Sequence, residues 1–321
     1  MGSLMPETIN NLEPMAPHIE ITPRKPLVDE CVSLRLLGFA PHTPVTIRAK
    51  SFDGCGGQYQ SHATFYTNDQ GILDLSAEEP ISGSYEGVDA MGLVWSRVLS
   101  PAEANVADAT RMKKPSPVLH STTQEEVLYF TAEAGGKVVA STTLERLFTA
   151  PGVTRRDVRD GGLVGTFFTP ANPDPHPGCL VVGGSGGGIP SNTAALLASH
   201  GYSTLALAYF SEAHLPKALV NIPLEYFAAA LRWMQAQDKV DSEKIAILGR
   251  SRGGELALLL GATFPQITAV VGYVPSGVLW GGFGGKVYEE TPAAWSYAGC
   301  LLGCLCSERS WLVSVSCSFF A

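Results

Sequence analysis

Charge is what this sequence has least of. Only 16% of its 321 residues are Asp, Glu, Lys or Arg, and the 22 basic residues are outnumbered by 30 acidic ones, for a formal net charge of −8. A chain of that balance, with no basic block, repels phosphate backbones, which excludes nucleic acid as a partner. Long apolar runs are also missing. None reaches the ~18 residues a membrane span needs, so no span is expected. Residues 1–20 carry no basic start followed by an apolar stretch, and the ending Ser318-Phe319-Phe320-Ala321 is not an organelle address. The expected location is cytoplasmic. Histidine is absent after His214, so the crowded cysteines Cys300, Cys304, Cys306 and Cys317 have no His at zinc spacing. Neither a metal nor a cofactor is expected.

What is present is a hydrophobic fraction of 45%, which rules out global disorder, and a length that suits about two domains. Residues 1–17 read as a disordered lead. From 18 to 150, short β-like runs alternate with turn signals: Cys31–Leu37, Val45–Phe52, Gln60–Thr67, Val127–Ala132 and Val138–Leu147. This stretch predicts a small β-sandwich, with Pro101–Pro117 as a connector. Prolines 151, 170, 173, 175 and 177 mark the junction, within which Gly162–Thr169 opens a second sheet. Beyond Gly178 the texture changes. Continuous apolar runs (Cys179–Gly183, Thr204–Tyr209, Lys244–Leu248, Ile267–Val274) alternate with helical patterns over Ser191–His200, Pro223–Gln237 and Gly253–Thr263. That alternation predicts a parallel α/β layer.

The chemistry-bearing motif is Gly249-Arg250-Ser251-Arg252-Gly253, a G-x-S-x-G between a buried strand and a helix. That context makes a nucleophile elbow. The turn is so sharp that side chains two positions either side of the serine would clash, and Gly249 and Gly253 remove the clash. Ser251 becomes the candidate nucleophile, with the Arg252 N–H aimed at a developing oxyanion. A second donor is expected from the glycine loop Gly183–Gly188, through Ser185 and Gly186. A phosphate loop is the alternative for those glycines, but G-x-x-x-x-G-K-[ST] is absent.

Several separated stretches resemble the acyl-CoA thioesterase and bile-acid-CoA:amino-acid N-acyltransferase family. In the second half they are Gly184–Gly188, Leu207–Phe210, Leu215–Lys217, Leu224–Phe227, Leu248–Glu255 and Ile267–Val271. In the first half they are Leu27–Glu30, Gly38–Pro41, Gln60–Ala63, Gly71–Leu75, Met91–Leu93 and Ala150–Val153. The resemblance covers about residues 18–284. It implies a β-sandwich followed by an α/β-hydrolase, with acyl-CoA thioesters as substrates. Thioesterase members use Ser and amino-acid-transferring members often Cys, so Ser251 favours hydrolysis over acyl transfer.

The chain departs from the family in one respect. α/β-hydrolases take their triad in the order Ser, acid, His. After Ser251 these 321 residues contain no His and no Asp. The resemblance fades after about Gly285, so the hydrolase domain is read as partial, 151–285. The Cys- and Ser-rich segment 286–321 reads as a shifted frame, a retained intron or a premature stop. It is expected to pack poorly or be disordered, and to leave a sheet edge open to self-association. The expected consequence is an impaired hydrolase; the alternatives are an acyl-CoA-dependent acyltransferase, or an inactive fragment that binds acyl thioesters or a partner protein. His200 and His214 are weak substitutes for the missing base. Arg250 and Arg252 flank the nucleophile, where they read as solvent-exposed or as attracting CoA phosphates.

Overall fold

The computed structural model describes residues 15–53, 57–100, 125–212, 214–283 and 292–303. The expected disordered lead (as far as residue 14), the connector Pro101–Pro117 and the end of the tail (304–321) lie outside the described residues. The described chain falls into two compact units, one ending at Leu147 and the other beginning at Phe148.

The first unit consists of two antiparallel sheets. Strands β1 (His18–Thr22), β2 (Ser33–Leu37) and β5 (Leu73–Asp74) make the smaller one. The larger has the order β6-β4-β3-β8-β9, from β3 (Pro44–Phe52), β4 (Gln58–Tyr66), β6 (Ser82–Gly83), β8 (Glu126–Ala134) and β9 (Lys137–Arg146). A short helix, α1 (Gly92–Trp95), and β7 (Val98–Leu99) lie against β4. Alternation decides which face is buried. Val45, Ile47 and Ala49 of β3 point inward, and in register Ile47 sits beside Ala63 and Ala132. They share one core with Ile19 and Ile21 of β1 and Leu34 and Leu36 of β2, as a sandwich requires.

The second unit is an open sheet in the order β10-β11-β13-β12-β15-β16. Its strands are β10 (Thr154–Val158), β11 (Val164–Thr169), β12 (His176–Val182), β13 (Ser203–Ala208), β15 (Val240–Arg250) and β16 (Ile267–Tyr273). The parallel layer expected beyond Gly178 is present, and the two strands that precede it are joined to it by antiparallel pairing. β13, β12, β15 and β16 run parallel, but β10 pairs β11 and β11 pairs β13 antiparallel. The turn Asp160–Gly162 between β10 and β11 is too short for a crossover, so the chain returns as a hairpin.

Helices cover both faces. α2 (Ser191–Ser199) sets Ala194, Ala195 and Ala198 against Phe168, Cys179, Val181 and Ala206. On the other face lie α3 (Leu224–Gln235), through Phe227, Leu231 and Met234, and α4 (Arg252–Thr263), through Leu256 and Leu260. Pro223 begins α3, as its fixed φ favours at a helix start. This is the α/β-hydrolase arrangement, with the G-x-S-x-G turn at the end of β15. β16 ends the sheet. Among the described residues it pairs with β15 alone, and Val271 and Tyr273 are 48% and 63% exposed. No helix among the described residues is long and apolar enough to cross a membrane.

A small third sheet joins β14 (Ile222–Pro223), β17 (Trp295–Tyr297) and β18 (Cys300–Leu301). Of the segment expected to pack poorly or be disordered, only 292–303 is described, and there full burial is confined to Ala294 and Trp295 while 297–301 is exposed. Ala294 and Trp295 are each 1% exposed. The Asn221 and Ile222 N–H groups donate to the carbonyls of Ala293 and Ala294 at 2.9 and 2.8 Å, and the Trp295 ring packs on Tyr209 and Phe227. A large aromatic surface finds a core to enter whether or not the surrounding sequence resembles a family.

Candidate active site

The site begins with a strained residue. Between β15 and α4, Ser251 sits at φ 56°, ψ −120°, a region L-residues rarely adopt and that costs on the order of 1–3 kcal/mol. Its neighbours hold it there. The Ser251 N–H donates to the Tyr273 carbonyl at the end of β16 (2.9 Å), and the Ser251 carbonyl accepts from the Gly254 and Glu255 N–H groups at 2.8 and 3.1 Å. A Cβ on Gly249 would overlap the Gly253 carbonyl, and one on Gly253 would overlap the Gly183 carbonyl. Each glycine is therefore an approach of backbone to backbone that no side chain permits. The serine side chain is exposed, and among the described residues its Oγ has no hydrogen-bond partner.

The glycine loop follows β12 and comes to the same place. A Cβ on Gly184 would stand 3.3 Å from Ser251 Cβ and 3.8 Å from the Arg252 nitrogen. The loop turns tightly, with the Gly187 N–H donating to the Gly184 carbonyl at 3.1 Å and positive φ at Gly187 and Gly188. Ser185 and Gly186 lie exposed on that turn, one and two positions beyond Gly184. At its root the buried Tyr209 hydroxyl donates to the Gly183 carbonyl at 2.7 Å. Burial pushes the Tyr209 phenol up, so it stays protonated and keeps donating. The Arg252 N–H is the first of α4 and has no helical carbonyl four residues back to bind. The turn thus places a serine hydroxyl, a helix-start amide and a glycine loop together.

Arg252 itself is not the exposed flank the sequence suggested. Its Nη1 donates to Glu255 Oε2 at 2.7 Å, and its Nη2 to the Trp280 and Gly281 carbonyls at 3.0 and 3.1 Å. Its guanidinium also lies 5.9 Å from the Trp295 ring centroid. Glu255, 2% exposed, completes its shell with the Trp280 N–H at 3.3 Å and the Trp295 indole N–H at 3.1 Å. The guanidinium is turned inward onto these partners, with its Nε buried and unbonded among the described residues, so it is not presented to a phosphate. Arg250, by contrast, is exposed. Glu255, Trp280 and Trp295 were not among the expected site residues. The one available signal was the i, i+3 spacing of Arg252 and Glu255 on a helix.

The other nucleophile and base candidates lie apart. Cys179 is buried beneath α2, and burial pushes its thiol up to about 12, which leaves it protonated and inert. His200 caps the end of α2, and His214 is exposed at φ 69° in the loop after β13. Among the described residues, no hydrogen bond joins either to Ser251.

Two family models match this chain in order. The acyl-CoA thioester hydrolase/BAAT N-terminal region matches residues 29–160, and the BAAT/acyl-CoA thioester hydrolase C-terminal region matches residues 222–293, eight residues beyond the point where the resemblance was read to fade. Human mitochondrial acyl-coenzyme A thioesterase 2 is 37% identical over 244 residues, 76% of this chain and 49% of its own length. Mouse peroxisomal succinyl-coenzyme A thioesterase is 36% identical over 243 residues, 76% of this chain and 56% of its own. The chain thus spans about half the length of the curated relatives it matches. Among solved structures, 2,6-dihydroxy-pseudo-oxynicotine hydrolase aligns over 41% of this chain and 38% of its own, with a TM-score of 0.32 and 20% identity. On the two family matches and the identity carried across both units, this chain belongs to the acyl-CoA thioester hydrolase/bile-acid-CoA:amino-acid N-acyltransferase family.

Proposed function

We propose that the chain carries an acyl-CoA thioester hydrolase site with Ser251 as its nucleophile. The observation that supports this most is the elbow: an exposed hydroxyl at positive φ, set between a strand end and a helix-start amide. Ser251 Oγ attacks the thioester carbonyl, the C–S bond breaks, and CoA leaves as its thiol. Water then opens the acyl-serine and releases the acid. The Arg252 N–H and the loop amides of Ser185 and Gly186 take up the charge that develops on the carbonyl oxygen. Gly249 and Gly253 admit the turn.

The hydroxyl proton needs a base. No His or Asp follows Ser251 in these 321 residues, and among the described residues Oγ has no partner. The 321-residue polypeptide is therefore proposed as an impaired hydrolase that binds acyl thioesters and turns them over slowly. Without a working triad, oxyanion and binding effects leave a residual ~10³–10⁴-fold over water. Self-association through the β16 edge belongs to the same proposal, on the exposure of that strand. So does a cytoplasmic location, which a fluorescent fusion tests against the mitochondrial and peroxisomal locations named for two relatives.

The test is a fluorophosphonate time course and an acyl-CoA hydrolysis assay on the 321-residue chain and on Ser251→Ala. Slow labelling that disappears in Ser251→Ala is expected. Equal labelling of both overturns the nucleophile. Brisk Ser251-dependent hydrolysis overturns the impairment, and His214→Ala then asks whether that histidine supplies the base.

A further inference from the structure

Trp295 lies two residues beyond the matched C-terminal region, yet its ring touches both halves of the site. On one side, ring centroids 5.8 Å apart, it packs against Tyr209, whose hydroxyl holds the Gly183 carbonyl at the root of the glycine loop. On the other, its indole N–H donates to Glu255 Oε1. Through Oε2, Glu255 fixes Arg252, the residue whose backbone N–H opens α4 beside Ser251. The Arg252 guanidinium lies over the same ring. The ring is held in turn from behind. Ile222 and Trp295 are paired in β14 and β17, and the Leu302 N–H donates to the Trp295 carbonyl at 2.9 Å.

We infer that Trp295 is a positioning residue that braces the glycine loop and the elbow against each other, through Tyr209 on one side and Glu255 on the other. The inference rests on the reading above that amides of both walls serve one carbonyl oxygen. β12 and β15 are paired as far as Val182 and Gly249, and beyond the end of that ladder the spacing of the two walls depends on what packs against both. An indole with a single donor suits that role, because its ring fills volume while its N–H fixes rotation. The bond to a buried carboxylate is charge-assisted, and without it Glu255 would lose one of its three partners.

The test separates the two arms of the brace. In the 321-residue chain with ¹⁵N-labelled tryptophan, Trp295→Phe identifies the Trp295 indole resonance among five tryptophans by its disappearance. That N–H is expected to be protected from solvent exchange in the unsubstituted chain. Backbone exchange at 183–188 and at 250–254 is then followed in three variants. Glu255→Gln is expected to speed exchange at the elbow alone and to shift the Trp295 indole signal. Tyr209→Phe is expected to speed it at the glycine loop alone. Trp295→Phe is expected to speed both, by about tenfold, the effect of losing one bond to a charged acceptor. Exchange at Leu180 and Leu205 should not change in any of them. An acceleration confined to 292–302, or one uniform over the unit, overturns the brace. If Trp295→Phe does not fold, the two single-arm variants still decide, because both walls unchanged in both variants overturns it as well. Fluorophosphonate labelling answers separately for the nucleophile. A split exchange pattern with Ser251 unlabelled would sink the nucleophile and keep the brace, and the converse pattern would do the opposite.

Discussion

Strands β13 and β16 are both mainly apolar runs, Ser-Thr-Leu-Ala-Leu-Ala and Ile-Thr-Ala-Val-Val-Gly-Tyr, with no charge and no proline in either. All of β13 is buried, between β11 and β12 in the sheet and beneath helices on both faces. After Ile267, β16 is mostly exposed, because among the described residues it has a strand on one side only and no α2-like cover over Val271 and Tyr273. A continuous apolar run therefore announces a strand that tolerates burial on both faces. Whether it is buried depends on neighbours that the run does not encode. The edge β5 in the first unit makes the contrast sharper. It is two residues long and carries Asp74, the short, charged kind of edge that resists pairing with another chain.

The largest effect expected from that contrast is in stability. Leu205→Ala in β13 should cost about 2–5 kcal/mol, whereas Val271→Ala in β16 should cost less than about 1 kcal/mol. Urea unfolding of both variants measures the gap. Equal costs would mean that β16 is covered, and the contrast would be gone. A smaller effect should appear in association. The unsubstituted chain is expected to self-associate with rising concentration, and Val271→Lys to stay monomeric while its stability changes by only ~0.5 kcal/mol. Sedimentation velocity that fails to tell the two apart would remove the edge from the account.

The smallest effect belongs to β5. The Ser76 hydroxyl bonded to Asp74 at 2.6 Å, then the Ser76 N–H and Arg35, hold the Asp74 carboxyl below its ordinary range despite partial burial. A carboxyl lowered in the folded state stabilises it above the unfolded value of about 3.9, and that contribution is lost as pH falls through the folded value. Solvent screening keeps it under about 1 kcal/mol. Ser76→Ala should narrow the difference between the urea midpoints at pH 7 and pH 3. An unchanged difference would show that the Ser76 hydroxyl is not what lowers Asp74.

Much of this fold was legible because its signals are local. The alternation in Val45–Phe52 and the apolar run Cys179–Gly183 each name their strand type, and Gly249 and Gly253 name the turn by the clashes they avoid. Strand direction was not legible. Val-Gly-Thr-Phe-Phe-Thr of β11 is buried throughout and reads the same whether it runs with or against β13. Nor was the true start of β15 at Val240, since Asp241, Ser242, Glu243 and Lys244 look like loop until Val240 is seen paired with His176. Arg252 and Glu255 had the i, i+3 spacing of a helix pair, but their burial was not legible, because two of the groups that bind them, Trp280 and Trp295, lie 25 to 43 positions on.

The turn at Ser251 also separates display from chemistry. Its positive φ is set by the Tyr273 carbonyl, the Gly254 and Glu255 amides and the two flanking glycines, and the Oγ takes no part in any of it. The position behaves as a socket whose shape is independent of what is plugged in. Ser251→Cys would present sulfur at the same point with strand, helix and glycine loop undisturbed. An ester and a thioester intermediate therefore differ here by one atom, so the choice between them can change without passing through a misfolded protein.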